Sequence, residues 1–229
     1  MSDSPVDIAG PESPFRQLPR LTPARVLGSQ VLFNGFAIGW LLFAYHLSDR
    51  GVPPPLRVSG NPVELGYGVA AAVGIFITNA LMANLIRLFP FGRSIIDWYQ
   101  RRNATMFGLL PVWCLLTVAV IAGIAEEVLF RGLIQPQLGW VITGLMFALV
   151  HFPSSRYRYN HPVTWGMLGL YLPISFALGY LYEWRQDLTA PMVAHVVLDV
   201  VGLLIIKARA EKANQATTSM TSPEEAMAP

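Results

Sequence analysis

The hydrophobic positions along the chain fall into long, nearly uncharged runs separated by polar or proline-containing segments. Most runs have about the 20 residues that a helix needs to cross a bilayer. They predict helices over residues 26–47, 63–88, 106–130, from a break at 135–139 to 151, 163–182 and 189–206. The fold class that this pattern predicts is an all-α, polytopic membrane helix bundle of about six transmembrane helices.

The segments outside these runs are polar and define the predicted domain organisation. Residues 1–25 hold five prolines, three acids and three arginines, which is typical of a flexible polar arm. Residues 26–207 form the predicted transmembrane domain. Residues 208–229 are predicted to be a disordered tail. Within the domain, residues 89–105 gather arginines and aromatic side chains, as an interfacial connection does.

Composition supports a membrane protein and excludes several function classes. The chain is 53% hydrophobic and 13% charged, whereas an average soluble domain is about 25% charged. The net charge of +2 is too small to indicate a nucleic-acid partner. The single cysteine, Cys114, lies inside a predicted span, so neither a disulfide framework nor a cysteine-rich metal site is expected.

The distribution of cations predicts the orientation of the bundle. Six spans place both termini on one side of the membrane, and twelve of the 16 Lys and Arg residues fall on that side. The positive-inside rule therefore predicts cytoplasmic termini. With no targeting peptide recognised, we expect a bacterial inner (cytoplasmic) membrane.

Ionisable groups inside the spans mark the candidate chemistry, because a charge at the bilayer centre costs about 3 kcal/mol. Glu126 and Glu127 are adjacent in the third run. At 1.5 Å rise per residue, Glu126 and His151 lie equally far, roughly 18 Å, from the turn between their helices. His195 and Asp199 lie roughly 9 and 15 Å into the sixth run. Four ionisable groups from three helices thus converge on one layer.

Spacing along each helix suggests which groups pair. Glu127 and Arg131 are four residues apart, with the acid first, which favours an ion pair. Glu126 points about 100° away and keeps no partner on its own helix, as a candidate general base does. His195 and Asp199 share a face, so the aspartate can fix the imidazole's orientation.

The order of these residues resembles the three motifs of the CAAX protease and bacteriocin-processing family of intramembrane glutamic endopeptidases, which includes the prenyl-protein endopeptidases. The resemblance covers about residues 106–206, the predicted protease core. One departure is Asp199, where the eukaryotic prenyl-protein proteases carry asparagine. The matching motifs are Glu126-Glu127-x-x-x-Arg131-Gly132, Phe147-x-x-x-His151 and His195-x-x-x-Asp199.

The resemblance implies a role for each residue of the layer. Glu126 would act with His151 to activate a water for attack on a peptide carbonyl. His195, positioned by Asp199, would stabilise the oxyanion that develops. The expected substrate is a membrane-associated or C-terminally anchored protein or peptide. The predicted orientation places the site nearer the non-cytoplasmic face, which fits cleavage of exported or anchored proteins.

Three further residues have supporting roles in this interpretation. Glu127 and Arg131 would hold the helix and balance charge, and Phe147 would pack beside the site or contact substrate. No metal and no cofactor are expected. The sequence does not indicate the oligomeric state.

Three alternatives remain open from the residues alone. A zinc-dependent intramembrane protease would use Glu126, His151 and His195 as ligands, although the usual His-Glu-x-x-His spacing is missing. A transporter or proton channel also places acids and histidines at bilayer depth. A non-proteolytic membrane scaffold or bacteriocin-immunity protein is the third.

Overall fold

The structure is a computed structural model that describes residues 21–47, 56–151 and 162–220, and these ranges are almost entirely helical. The predicted arm 1–25 lies mostly outside them. The predicted fold class, an all-α membrane helix bundle, is confirmed. The elements in chain order are α1 (Pro23–Leu47), α2 (Pro62–Arg87), α3 (Pro90–Phe107), α4 (Val112–Glu127), a π-helical segment (Val128–Ile134), α5 (Gln135–Val150), α6 (Pro162–Arg185) and α7 (Thr189–Met220).

Four helical stretches of the described chain are long and apolar enough to cross a membrane: Pro23–Leu47, Pro62–Arg87, Val112–Val150 and Thr189–Lys212. The 39-residue stretch combines the third and fourth predicted helices, and α6 covers the fifth. Large apolar side chains such as Phe36, 74% exposed, lie on the outside of the bundle. An apolar exterior of this kind is stable in lipid, and the chain is an integral membrane protein.

The reversal between α4 and α5 occurs at a single residue. Gly139 has φ 76° and ψ 162°, a backbone conformation that favours glycine, inside an otherwise helical stretch. The predicted break at 135–139 is therefore narrower than expected. Pro136 does not end the helical stretch and lies at the start of α5, directly after the π-helical segment.

Two helix boundaries differ from those predicted. Residues 90–107 form the amphipathic helix α3 and not an unspecified connection. Its Pro90 sits in the first turn, where proline favours helix initiation. The third predicted run began at residue 106, but α4 begins at Val112. Pro111, in extended conformation, separates α4 from α3.

The C-terminal helix is longer than predicted. α7 continues to Met220, so the first part of the predicted disordered tail is helical. Residues 207–216 include four alanines, two lysines and one each of arginine, glutamate and glutamine, all strong helix formers, and contain no glycine or proline. Lys207 and Glu211 add an ion pair at 3.0 Å with four-residue spacing. Residues 221–229 lie outside the described ranges.

Helix α7 is the central scaffold that carries His195, and it packs against both α2 and α4. Two glycines allow these close approaches. A Cβ at Gly68 of α2 would lie 2.6 Å from Val193 Cβ, and one at Gly123 of α4 would lie 2.6 Å from Val196 Cγ2. Small residues at such crossings are typical of membrane helix interfaces. The crossing at Gly123 brings the end of α4 directly against the first turns of α7.

Polar contacts at the end of the bundle away from the termini fix the depth of α7. Leu188 N donates to the Arg57 carbonyl at 2.8 Å. Asp187 accepts from the backbone N–H of Ser59 at 3.2 Å and of Thr189 at 2.8 Å. These bonds tie the start of α7 to the chain segment that leads into α2. The position of His195, six residues further, follows from this attachment.

Candidate active site

The last turn of α4 and the end of α5 bring Glu126 and His151 together. His151 Nε2 lies 3.3 Å from Glu126 Oε2, with side chains 25% and 10% exposed. The two residues meet at the same level, as counting outward from the turn predicted. The His151 side chain is therefore partly accessible, whereas Glu126 is largely covered.

The other nitrogen of His151 has a defined partner. Nδ1 lies 2.8 Å from the carbonyl oxygen of Phe147. A carbonyl can only accept, so Nδ1 carries the proton and donates it to Phe147. In the neutral imidazole this leaves the lone pair on Nε2, the nitrogen that faces Glu126. The α5 backbone therefore sets the tautomer that a proton acceptor at Nε2 requires.

Glu127 connects three elements in the interior. Its side chain is fully buried, and Oε1 accepts from Arg131 Nη1 at 3.0 Å and from His195 Nδ1 at 2.8 Å. The ion pair with Arg131 is the one that the spacing indicated. The contact with His195 was not predicted. It depends on how closely α4 and α7 cross, and spacing along one helix does not contain that information.

Asp199, the expected partner of His195, lies further from the imidazole than Glu127 does. Asp199 Oδ2 lies 3.7 Å from His195 Nε2, beyond hydrogen-bond distance, whereas Glu127 holds Nδ1 at 2.8 Å. Glu127, and not Asp199, therefore fixes the orientation of this imidazole. The physical reason is that Glu127 is buried beside the ring, while the Asp199 side chain is 35% exposed at the edge of the site.

Arg131 balances the charge of Glu127 in the interior. It is completely buried, and its Nη2 donates to the Ser175 carbonyl of α6 at 3.1 Å. The guanidinium carbon lies 4.4 Å from the centre of the Phe147 ring. These contacts use both terminal nitrogens and the flat face of the group, which suits arginine better than lysine.

The π-helical segment Val128–Ile134 begins directly after Glu127. Its wider turn directs Arg131 and, just beyond the segment, Gln135 towards α6. Gln135 Nε2 donates to the Gly179 carbonyl at 2.9 Å, four residues after the Ser175 carbonyl that Arg131 binds. π-Helical turns are rare and frequent at functional sites. The sequence pattern does not distinguish this segment from an ordinary α-helix.

Phe147 lies at the centre of the cluster and is 1% exposed. Its ring centre is 4.4 Å from that of His151, 5.6 Å from that of His195 and 5.1 Å from that of Phe130. Of the two expected roles, packing beside the site fits this position, because the ring separates the two histidines and is almost completely covered.

Tyr171 of α6 completes the surroundings of His151. The two rings stack with centres 5.0 Å apart and an angle of 27°. The Tyr171 side chain also interacts with Tyr99 of α3 and lies within electrostatic range of Asp199. Sequence reasoning missed Tyr171, Gln135 and Ser175. They are isolated polar groups in apolar runs, and only the helix packing brings them to the site.

The donor groups are not arranged as a metal centre. Among the described residues, no group of three or more His, Cys, Asp or Glu side chains is placed to hold a metal ion. Glu126 and His151 face each other, but Nδ1 of His195 is bonded to Glu127 and its Nε2 faces Asp199. The described residues therefore contain no three-ligand group of the kind that the zinc alternative needs.

The segment that contains this cluster is similar to a known protein family. Residues 108–201 match the family model of Rce1-like proteins, described as type II CAAX prenyl endopeptidase Rce1-like. This segment is Rce1-like. The match confirms the resemblance to the CAAX protease and bacteriocin-processing family, and it includes all three motifs.

A curated relative extends the similarity beyond the Rce1-like segment. The Bacillus subtilis (strain 168) protein named uncharacterized protein YpbD is 34% identical over 142 residues, which are 59% of this chain and 65% of the relative. The chain thus covers somewhat less than two thirds of that protein's length. No solved structure matches the chain.

Proposed function

We propose that the protein is an intramembrane endopeptidase that hydrolyses a peptide bond of a membrane-associated or C-terminally anchored protein. The observation that carries the proposal is the pairing of Glu126 with His151 at 3.3 Å inside a membrane helix bundle. Its position inside the Rce1-like segment supports the proposed reaction class. A carboxylate and an imidazole at this distance suit general-base activation of a water.

In the proposed mechanism, Glu126 and His151 Nε2 share one water and withdraw its proton as its oxygen attacks the peptide carbonyl. The Phe147 carbonyl keeps the proton of His151 on Nδ1, so Nε2 is free for this task. The Ser175 hydroxyl and the Cys114 thiol are both unsuited to act as the nucleophile in place of water. Ser175 donates its hydroxyl to the Gly144 carbonyl at 2.7 Å, and Cys114 is buried about three turns from Glu126.

His195 is the proposed donor to the oxyanion. Glu127 accepts the Nδ1 proton, and the carboxylates of Glu127 and Asp199 on either side favour the imidazolium form. An imidazolium also carries a proton on Nε2, and that proton is available to a developing negative charge. The positive charge of Arg131 balances the negative charge of the buried Glu127 carboxylate.

The exposure of the side chains suggests the direction from which substrate arrives. Exposure rises from 0% at Glu127 and 6% at His195 to 25% at His151 and 35% at Asp199. Asp199 lies one turn further than His195 towards the end of the bundle that holds the termini. With cytoplasmic termini in a bacterial inner membrane, this gradient favours access from the cytoplasmic half, unlike the outer-face access expected from the charge count and depth alone.

The test compares wild-type membranes with membranes that carry Glu126→Gln, His151→Ala or His195→Ala. We expect all three variants to accumulate the same uncleaved precursors, identified by sequencing their termini. The loss should be similar in each, because residues that act as a unit are not additive. Matched controls are His46→Ala and Glu211→Gln, which alter exposed side chains outside the cluster.

Two results would contradict the proposal. Cleavage that survives Glu126→Gln would favour the scaffold or immunity alternative, since the reaction would not need the proposed base. Loss in the His46→Ala control equal to that in His151→Ala would indicate a general defect in membrane insertion. Reporter fusions at residues 139 and 220 test the orientation, and we expect only the second to be cytoplasmic.

A further inference from the structure

A line of buried polar side chains leads from the candidate active site to the opposite end of the bundle. It consists of Glu127, Arg131 and Gln135, four residues apart, and we call it the polar row. The polar row faces α6, where Arg131 binds the Ser175 carbonyl and Gln135 binds the Gly179 carbonyl. Its last member also donates to the carboxylate of Glu183 at 3.2 Å, and Glu183 is exposed.

Each member of the polar row has one buried polar atom that makes no hydrogen bond to the described residues. Glu127 Oε2, Arg131 Nε and Gln135 Oε1 have no hydrogen-bond partner within the described ranges, although all three residues are at most 2% exposed. Leaving such groups unpaired in an apolar interior is unfavourable, and each of them needs a partner. The set combines acceptors with a donor, and water is both.

A fourth atom of this kind lies on α5. Thr143 is 1% exposed, and its hydroxyl also has no partner in the described chain. Three other helical threonines, Thr78, Thr105 and Thr117, donate to the carbonyl four residues before them. For Thr143 that carbonyl belongs to Gly139, whose non-helical backbone breaks the usual geometry.

Thr143 lies on the side of α5 that faces the polar row. It precedes Phe147 by one helical turn, and Phe147 packs on the Arg131 guanidinium. Gln135 is likewise one turn beyond Arg131 in the direction of the bend. The hydroxyl of Thr143 and the amide of Gln135 therefore lie at corresponding levels of the hairpin, with α6 closing the third side through the bond of Ser175 to Gly144.

We propose that the polar row and Thr143 bind internal water that supplies the hydrolytic site from the end of the bundle opposite the termini. Buried waters make about three hydrogen bonds each, so four unpartnered atoms suit about one or two molecules. Glu183 is exposed at the far end of the polar row, and we expect the internal water to exchange with bulk water there. The supply role rests on the proposed function, whereas the presence of water does not.

The first test uses stability and does not depend on activity. Thr143→Val keeps the shape of the side chain and removes its hydroxyl, and Thr143→Ser keeps the hydroxyl as the matched control. If the hydroxyl binds water, the midpoint of thermal unfolding should fall in Thr143→Val and fall less in Thr143→Ser. If the site is dry, Thr143→Val removes an unpaired polar atom and should raise the midpoint, which would overturn the proposal.

The second test locates the water and measures its use. A density map at about 2 Å resolution should contain ordered water within hydrogen-bond distance of Arg131 Nε and Gln135 Oε1. With a cleavable substrate, Thr143→Val and Gln135→Met should lower kcat about tenfold and leave KM unchanged, while Thr143→Ser stays near wild type.

The outcomes separate the two claims. A density map without ordered water near Arg131 Nε and Gln135 Oε1 overturns the proposed water site. Ordered water with an unchanged kcat overturns its supply role. A wild-type protein that cleaves nothing defeats the proposed function and the supply role, but the map and the sign of the Thr143→Val shift still decide whether the water is there.

Discussion

Replacement of Arg131 by methionine tests the buried charge balance most directly. Arg131 and Glu127 are both completely buried and 3.0 Å apart. Removing one partner of a buried ion pair typically costs about 3–5 kcal/mol, because the other charge stays in the interior without compensation. Methionine keeps most of the side-chain volume and retains a sulfur–aromatic contact with Phe147. His195 still bonds Glu127 Oε1 in this variant. We therefore expect a loss of stability at the lower end of that range, about 3 kcal/mol.

The matched control is Arg57→Met. The Arg57 side chain is 69% exposed and lies 3.5 Å from the buried Asp187, which keeps its bonds from Ser59 and Thr189 when Arg57 is removed. Since solvent screens the Arg57 charge, we expect a loss of about 0–1 kcal/mol. For a domain of this size, 1 kcal/mol corresponds to about 2–4 °C in the unfolding midpoint. Arg131→Met should therefore lower the midpoint by about 6–12 °C, and Arg57→Met by at most about 4 °C.

The chain provides its own probe for this measurement. Its single cysteine, Cys114, is completely buried in α4, so a thiol-reactive dye reports unfolding in detergent without further labelling. The double variant Glu127→Gln, Arg131→Met removes both charges and should recover most of the loss. The reasoning is refuted if Arg131→Met shifts the midpoint no more than Arg57→Met, or if the double variant is less stable than Arg131→Met alone.

Three further predictions follow from separate contacts. Gly123→Ala places a methyl group against Val196 and should destabilise the protein by about 1–3 kcal/mol and reduce cleavage. Its control, Gly66→Ala, meets nothing within 4 Å and should be neutral or stabilising. Burial would raise the pKa of Asp187, but hydrogen bonds from Thr189 and Ser59 outweigh it and lower that pKa. Its contribution to stability is therefore complete above the ordinary carboxyl pKa of about 4 and lost as pH falls through the lowered value. The midpoint difference between wild type and Asp187→Asn should accordingly close below about pH 4. Finally, a zinc chelator should leave cleavage unchanged, and a loss that added zinc restores would return the metalloprotease alternative.

Counting along the chain predicted the depth of the candidate residues, because a helix advances by a fixed rise and Gly139 marks the turn. That is why Glu126 and His151 appear level. Depth does not fix the direction in which a side chain points around its helix. The contact of Glu127 with His195 depends on the crossing of α4 and α7 and on the π-helical segment, and neither has a signal in the periodicity. The same limit explains why Tyr171, in a run of apolar residues, was not recognised.

The two adjacent glutamates illustrate how helix packing assigns different roles to identical side chains. Glu127 faces the interior, where Arg131 and His195 occupy one oxygen and compensate its charge. Glu126 faces the accessible edge, where its close partner is the half-buried His151. The contacts with Arg131 and His195 hold the Glu127 carboxylate inside the bundle, away from substrate. The Glu126 carboxylate has one close partner and lies on the more exposed side of the cluster. We therefore propose Glu126 as the base and Glu127 as the residue that positions His195, a division that the four-residue spacing of Glu127 and Arg131 also suggests.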